Sequence, residues 1–221
     1  MNFPASLFPE SLYWGAHVAY LLLMGWALFS APWHMLRSRE NLHVFLGASV
    51  VLLVLWSLKA GLHPGMSFHL LGATLLMLMF GWQFAFFAIS FILLWQMGFG
   101  IIQPFSFSLN ALLMGALPSL LSFALLRLSL RYLPHHFFVY TLVNAYFSAA
   151  VVMAVVVLSA SGLLLCCSPY DWALLKRSYL PFIPMMVFAE GFFTGMLATS
   201  MVLFRPEWIG SFDDQRYLKG K

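Results

Sequence analysis

Apolar residues run through this sequence in long unbroken blocks, and that feature decides the solvent in which it folds. A helix needs about 20 mostly apolar residues to cross the hydrocarbon core of a bilayer. About seven stretches reach or approach that length, at 12–29, 43–58, 68–80, 82–102, 109–130, 137–164 and 179–204. Only 8% of the residues are charged, against roughly 25% in an ordinary soluble domain, so a water-facing surface cannot be assembled from them. The same balance excludes intrinsic disorder, which needs low hydrophobicity and high net charge. The blocks do not alternate as barrel strands do, which leaves helices to satisfy the backbone. The expected fold is therefore an all-α membrane protein, a polytopic bundle of about seven transmembrane helices forming one domain over 1–221. Residues 1–11 form an outer N-terminal segment, 12–204 the helical bundle and 205–221 a cytoplasmic tail.

Charge sets the expected orientation. Arg37, Arg39, Arg127, Arg131, Arg205, Arg216, Lys219 and Lys221 fall on one side of such a bundle, and Lys59, Lys176 and Arg177 on the other. By the positive-inside rule the larger set is cytoplasmic, so the N-terminus is outside and the C-terminus inside. A net charge of +4 built from scattered single cations is not a phosphate-binding patch, and no nucleic-acid partner is expected. The opening Met1-Asn2-Phe3-Pro4 lacks the basic region of a cleavable leader, and the first apolar block runs directly into a membrane-length helix. No Walker A loop is present, so any ATP-driven transport requires an ATPase on another chain. Cys166 and Cys167 are adjacent and offer no conventional disulfide framework.

Polar residues inside apolar blocks need partners. Glu190, in Phe188-Ala-Glu-Gly-Phe-Phe-Thr-Gly, must face the protein interior, because an intramembrane carboxylate costs about 2.5–3.5 kcal/mol on insertion scales. Gln96, Asn110 and Asn144 make milder versions of the same demand. Gly191 and Gly195 allow a neighbouring helix to approach closely, either within the chain or on a partner. His17 lies inside the first helix and calls for an interhelical hydrogen bond or a ligand. His34, His43, His135 and His136 read as interfacial, and the methionines as packing residues. His63 and His69 differ, because one Gly/Pro-interrupted segment, Gly61-Leu-His-Pro-Gly-Met-Ser-Phe-His69, carries both at the outer mouth of a short membrane segment. Such segments mark binding sites, and neutral imidazole is a common transition-metal ligand. Helix capping or an ordinary interfacial histidine is the alternative for each.

The run Gly65-Met-Ser-Phe-His69-Leu-Leu-Gly-Ala-Thr, then Phe80-Gly-Trp and Leu94-Trp-Gln96, resembles the core of the CbiM/NikM family. These are cobalt and nickel substrate-binding permeases of energy-coupling-factor ABC transporters. Ala189-Glu190-Gly191 with Thr194, ending at Arg205-Pro206-Glu207, is similar to the family's last helix, and Asn110-Ala-Leu-Leu-Met114-Gly115 keeps part of a third motif. The resemblance implies seven helices with an outer N-terminus, a metal enclosed near the outer surface, residence in a bacterial cytoplasmic membrane, and partnership with a separate coupling subunit and ATPases. It implies ligands from the Met1 amine, a histidine at position 2 and His69. Here position 2 is Asn2, and the family's acidic Gly-Asp-Gly-Gly turn is replaced around Gly98-Phe-Gly-Ile-Ile-Gln-Pro.

The ligands expected for this chain are thus His69, His63, Met1 and His17, with Glu190, Asn110 and Gln96 as interior struts. The cargo is a divalent transition metal (Co, Ni or Zn), and neither a bound organic cofactor nor catalysis is expected. An intramembrane hydrolase would need a nucleophile and base that the sequence does not supply. The second functional reading is a metal-binding or regulatory membrane protein that keeps the fold without transporting.

Overall fold

A computed structural model describes residues 2–58, 60–61, 63–213 and 217. It is an all-α membrane-type protein whose elements are helices α1 (Glu10–Ser30), α2 (Arg39–Ser57), α3 (Ala73–Phe80), α4 (Trp82–Gly98), α5 (Phe107–Ala111), α6 (Leu117–Tyr132), α7 (Ser148–Cys167), α8 (Trp172–Ser178) and α9 (Ile183–Phe204). A small hairpin of β1 (Ala60–Gly61) and β2 (Ser67–Phe68) joins α2 to α3. Among the described residues, five helical stretches are long and apolar enough to cross a membrane: Glu10–Ser30, Arg39–Ser57, Pro104–Tyr132, Val139–Cys167 and Trp172–Phe204. Leu21, Leu22, Val51, Val54 and Phe188 remain exposed on their flanks, as a lipid-facing surface requires.

Local chemistry sets the helix ends. Glu10 sits in the first turn of α1, where a negative charge complements the helix dipole. Ser38 caps α2 by accepting from Asn41 N, so this helix begins at Arg39, a turn earlier than the apolar block at 43–58 suggests. Asp171 caps α8 through Leu174 N at 2.8 Å, and Lys176 and Arg177 close its last turn. Between α5 and α6 the helix widens into a π segment over Leu112–Ala116. Pro118 follows directly and cannot donate to the carbonyl four residues back, which relaxes the α-helical ladder there. A second π segment, Val139–Phe147, leads into α7.

Three boundaries differ from the sequence reading. The stretch at 68–80 is helical only from Ala73, because Gly72 takes φ +66° and breaks the ladder. The stretch at 82–102 ends as a helix at Gly98, followed by Gly100 at φ +70°. In the expected tail, residues 206–213 do not trail from the bundle, and most of the rest lies outside the described residues. Pro206–Trp208 forms a 3₁₀ turn, and Ile209 and Phe212 are buried in the core.

The first and third of these differences share a cause in α3. Eight residues give a helix of about 12 Å, well short of the roughly 30 Å hydrocarbon core, and nearly all of them are buried between α4, α6, α7 and α9. Its unpaired end groups must be satisfied by other parts of the chain. At the N-terminal end, Leu71 N and Gly72 N donate to the two oxygens of Glu190 on α9, at 2.7 and 2.8 Å. At the C-terminal end, Gly210 N donates to Met79 O at 2.9 Å and Ser211 N to Leu78 O at 3.1 Å. The post-α9 segment thus folds back because it supplies the donors that α3 lacks.

Gly72 is a direct test of this junction. A Cβ there would stand 2.6 Å from Leu52 Cδ1 in addition to the left-handed backbone. Gly72→Ala is expected to lower stability by at least about 1–2 kcal/mol from the backbone alone, read as a fall in the thermal midpoint in detergent. An unchanged midpoint would contradict the assigned junction.

Candidate metal-capture site

The N-terminal segment is built into one end of the bundle. Phe3 is 1% exposed, with its ring edge-on to Phe8 at 4.9 Å. Its backbone is held at both polar groups by one side chain. Phe3 N donates to Asn110 Oδ1 at 2.9 Å, and Asn110 Nδ2 donates to Phe3 O at 3.0 Å. Asn110, on α5 and 0% exposed, also donates to Ser106 O at 3.1 Å, so both N–H groups of its amide are used. Ala5 N donates to Gln103 Oε1, and Tyr13 OH donates to Pro4 O at 2.6 Å. The bonds to Asn110 and Gln103 reach about a hundred residues along the chain and fix where the N-terminal segment lies.

This anchoring sets Asn2 at a meeting point of elements. Asn2 N donates to Ser67 Oγ at 3.1 Å, and Asn2 Nδ2 donates to Gln96 Oε1 on α4 at 3.4 Å. Asn2 Oδ1 is buried and has no hydrogen-bond partner among the described residues. Met1, one of the expected ligands, lies outside the described residues.

Ser67 belongs to β2, two residues before His69. The hairpin pairs Ala60 with Phe68 and Gly61 with Ser67, and closes through Met66 N donating to His63 O at 3.0 Å. Pro64 and Gly65 (φ +83°) occupy the central turn positions that favour proline and glycine in a type II turn. His69 itself is buried, with its ring 4.5 Å from that of Trp56. Its Nδ1 lies 3.1 Å from Leu70 O. A carbonyl only accepts, so Nδ1 carries the proton of this bond, and a neutral ring then holds its lone pair on Nε2. Metal-ligating histidines are oriented in this way, by donating the other ring nitrogen to a carbonyl.

The other two histidines have separate surroundings. His63 is exposed near the turn, with its ring 6.5 Å from that of Tyr170, whose hydroxyl donates to Pro64 O. His17 Nδ1 lies 2.7 Å from Ser108 Oγ, and its ring packs edge-on to Phe105. Among the described residues no group of three or more His, Cys, Asp or Glu stands together as a metal cage. Of the interior polar residues singled out in the sequence, Glu190 accepts from Leu71 N and Gly72 N, Asn110 bonds the backbone of Phe3, and Gln96 accepts from Asn2 Nδ2. Gly191 and Gly195 face Tyr146 within the same chain, where an added Cβ would meet Tyr146 atoms at 3.0 Å. Sequence reasoning missed Ser108, Gln103 and Trp56. Gln103-Pro104 before a helix was the available sign for the second, and nothing in the sequence marked the other two.

A family model described as the cobalt uptake substrate-specific transmembrane region matches residues 2–208. Two solved structures share the fold. The crystal structure of a truncated transition metal transporter is 17% identical with a TM-score of 0.75, over 92% of this chain and 98% of that one. A second crystal structure of a transition metal transporter is 16% identical with a TM-score of 0.74, over 91% of this chain and 92% of that one. No curated protein matches the chain.

Proposed function

The chain belongs to the CbiM family of cobalt-uptake substrate-specific transmembrane regions, and on that premise we propose that it is the subunit that captures a divalent transition metal (Co, Ni or Zn) for import by an energy-coupling-factor-type ABC transporter. The observation that carries this reading is the anchored N-terminal segment, which holds Asn2 against Ser67, two residues from His69. His69 Nε2 is the central ligand, and the donors of Met1 and the buried Oδ1 of Asn2 complete the inner set. His63, exposed on the same hairpin, meets the incoming ion first, and His17 stays bonded to Ser108.

By charge asymmetry the Arg-rich end is cytoplasmic, so this site opens outward in the bacterial inner membrane. Release requires a second state of lower affinity. A separate coupling subunit with its ATPases imposes that state, and the Glu190 clamp gives α9 a mechanical hold on the segment after His69.

An amide oxygen is a harder, weaker donor than imidazole for these metals. Asn2→His is therefore expected to tighten Co(II) or Ni(II) binding by about tenfold or more, roughly 1.4 kcal/mol, in calorimetric titration of the purified chain. Equal affinities in the two proteins would remove position 2 from the site, and no binding in either would overturn the function.

A further inference from the structure

A second, mostly apolar concavity begins beside the metal-capture site, where Leu70, next to His69, contributes to its lining. It is a groove of about 490 Å³ between α2 and α9, floored by α3. Its walls are almost entirely carbon, and at one end Glu190, already engaged by the amides of Leu71 and Gly72, contributes to the lining. At the other end His43 and Trp208 line it.

That second end is cationic from both sides. Arg39 precedes His43 by one turn, which puts the two on one face of α2. Across the groove, the Arg205 guanidinium stacks 5.8 Å from the centre of the Trp208 ring. Arg205 also meets Glu207 at 3.4 Å, an exposed pair that uses one of its five N–H donors. Trp208 Nε1 is buried and has no acceptor among the described residues. An indole N–H only donates, so this end of the groove offers cations and a hydrogen bond to an oxygen-rich anion.

We propose that the groove is a binding site for an anionic phospholipid, with one acyl chain along α3 and the phosphate held by Arg39, His43 and Arg205. Trp208 Nε1 donates to a phosphate or ester oxygen. The nearly all-carbon walls match an acyl chain, which brings no polar group that the groove would have to satisfy. Charge argues for an anionic headgroup, because basic residues at the cytoplasmic surface attract such lipids.

The test is native mass spectrometry of the purified chain from micelles doped with phosphatidylglycerol or with phosphatidylethanolamine of the same acyl chains. A 1:1 phosphatidylglycerol adduct is expected, retained at least several-fold better than phosphatidylethanolamine. Two variants separate the parts of the site. Arg39→Gln with Arg205→Gln is expected to abolish the headgroup preference. Gly47→Leu, on the groove wall where an added Cβ meets no atom within 4 Å, is expected to displace the lipid while leaving the fold and metal binding intact. Equal retention of the two lipids by the parent, or undiminished phosphatidylglycerol retention in both variants, would overturn the proposal. Neither result bears on metal capture, which is measured separately.

Discussion

Glu190→Ala is expected to cost about 2–6 kcal/mol of stability, because it strands one buried and one part-buried amide donor at about 1–3 kcal/mol each. Glu190 is 2% exposed on α9, and its two oxygens take the N–H groups of Leu71 and Gly72. Gly72 at the N-cap has no side chain to offer, and the carboxylate from α9 holds the two amides that lead into α3. In the interior of a membrane protein no bulk water replaces it. Against a typical total of roughly 5–15 kcal/mol, the loss is a large fraction of the whole. Glu190→Gln keeps one carbonyl oxygen but turns an amide N–H₂ toward the second donor, so it should fall between parent and alanine variant. Thermal unfolding in detergent gives the ranking, parent above Gln above Ala. Coincident transitions for parent and alanine variant would contradict the capping role.

The same substitution should reach the metal. Leu71 lies two residues beyond His69, and its amide is one of the two points at which α9 fixes that segment. Loosening it frees the His69 ring from the orientation set by Leu70 O.

How much of this was legible in the sequence depends on the range of the interaction. The membrane-spanning stretches were legible because hydropathy is a local sum, and five of the stretches read from it match helices of spanning length. The shortness of the segment before Gly81 was legible too. What completes it was not, since one end is held by Glu190 more than a hundred residues away and the other by Gly210 and Ser211. Composition showed that Glu190 and Asn110 needed interior partners without showing which. For Asn110 the partner is the backbone of Phe3, a contact that no periodicity encodes.

His63 and His69 look like a pair because the sequence sets them six residues apart. The Pro64-Gly65 turn and the pairing of Gly61 with Ser67 instead leave His63 exposed beside Tyr170 and His69 buried beside Trp56. His17 was read as needing a hydrogen bond or a ligand, and it lies 2.7 Å from Ser108 Oγ. The segment after α9 was read as a tail because Arg205-Pro-Glu ends the apolar block, yet Ile209 and Phe212 return to the core.

On the proposed function, His69 together with the N-terminal segment anchored by Asn110 forms the place where a transition metal is captured. Loss of outer partners that orient a ligand lowers metal affinity by about 10–100-fold. Removing the ligand itself should cost more than about 100-fold, beyond that range. Calorimetric titration of the purified chain with Co(II), Ni(II) and Zn(II) therefore tests the account most directly. The expected result is one ion bound per chain, loss of binding in His69→Ala at an unchanged thermal midpoint, and a 10–100-fold weakening in Asn110→Ala. Binding of no divalent metal by the folded parent, or an affinity that His69→Ala leaves unaltered, would contradict it.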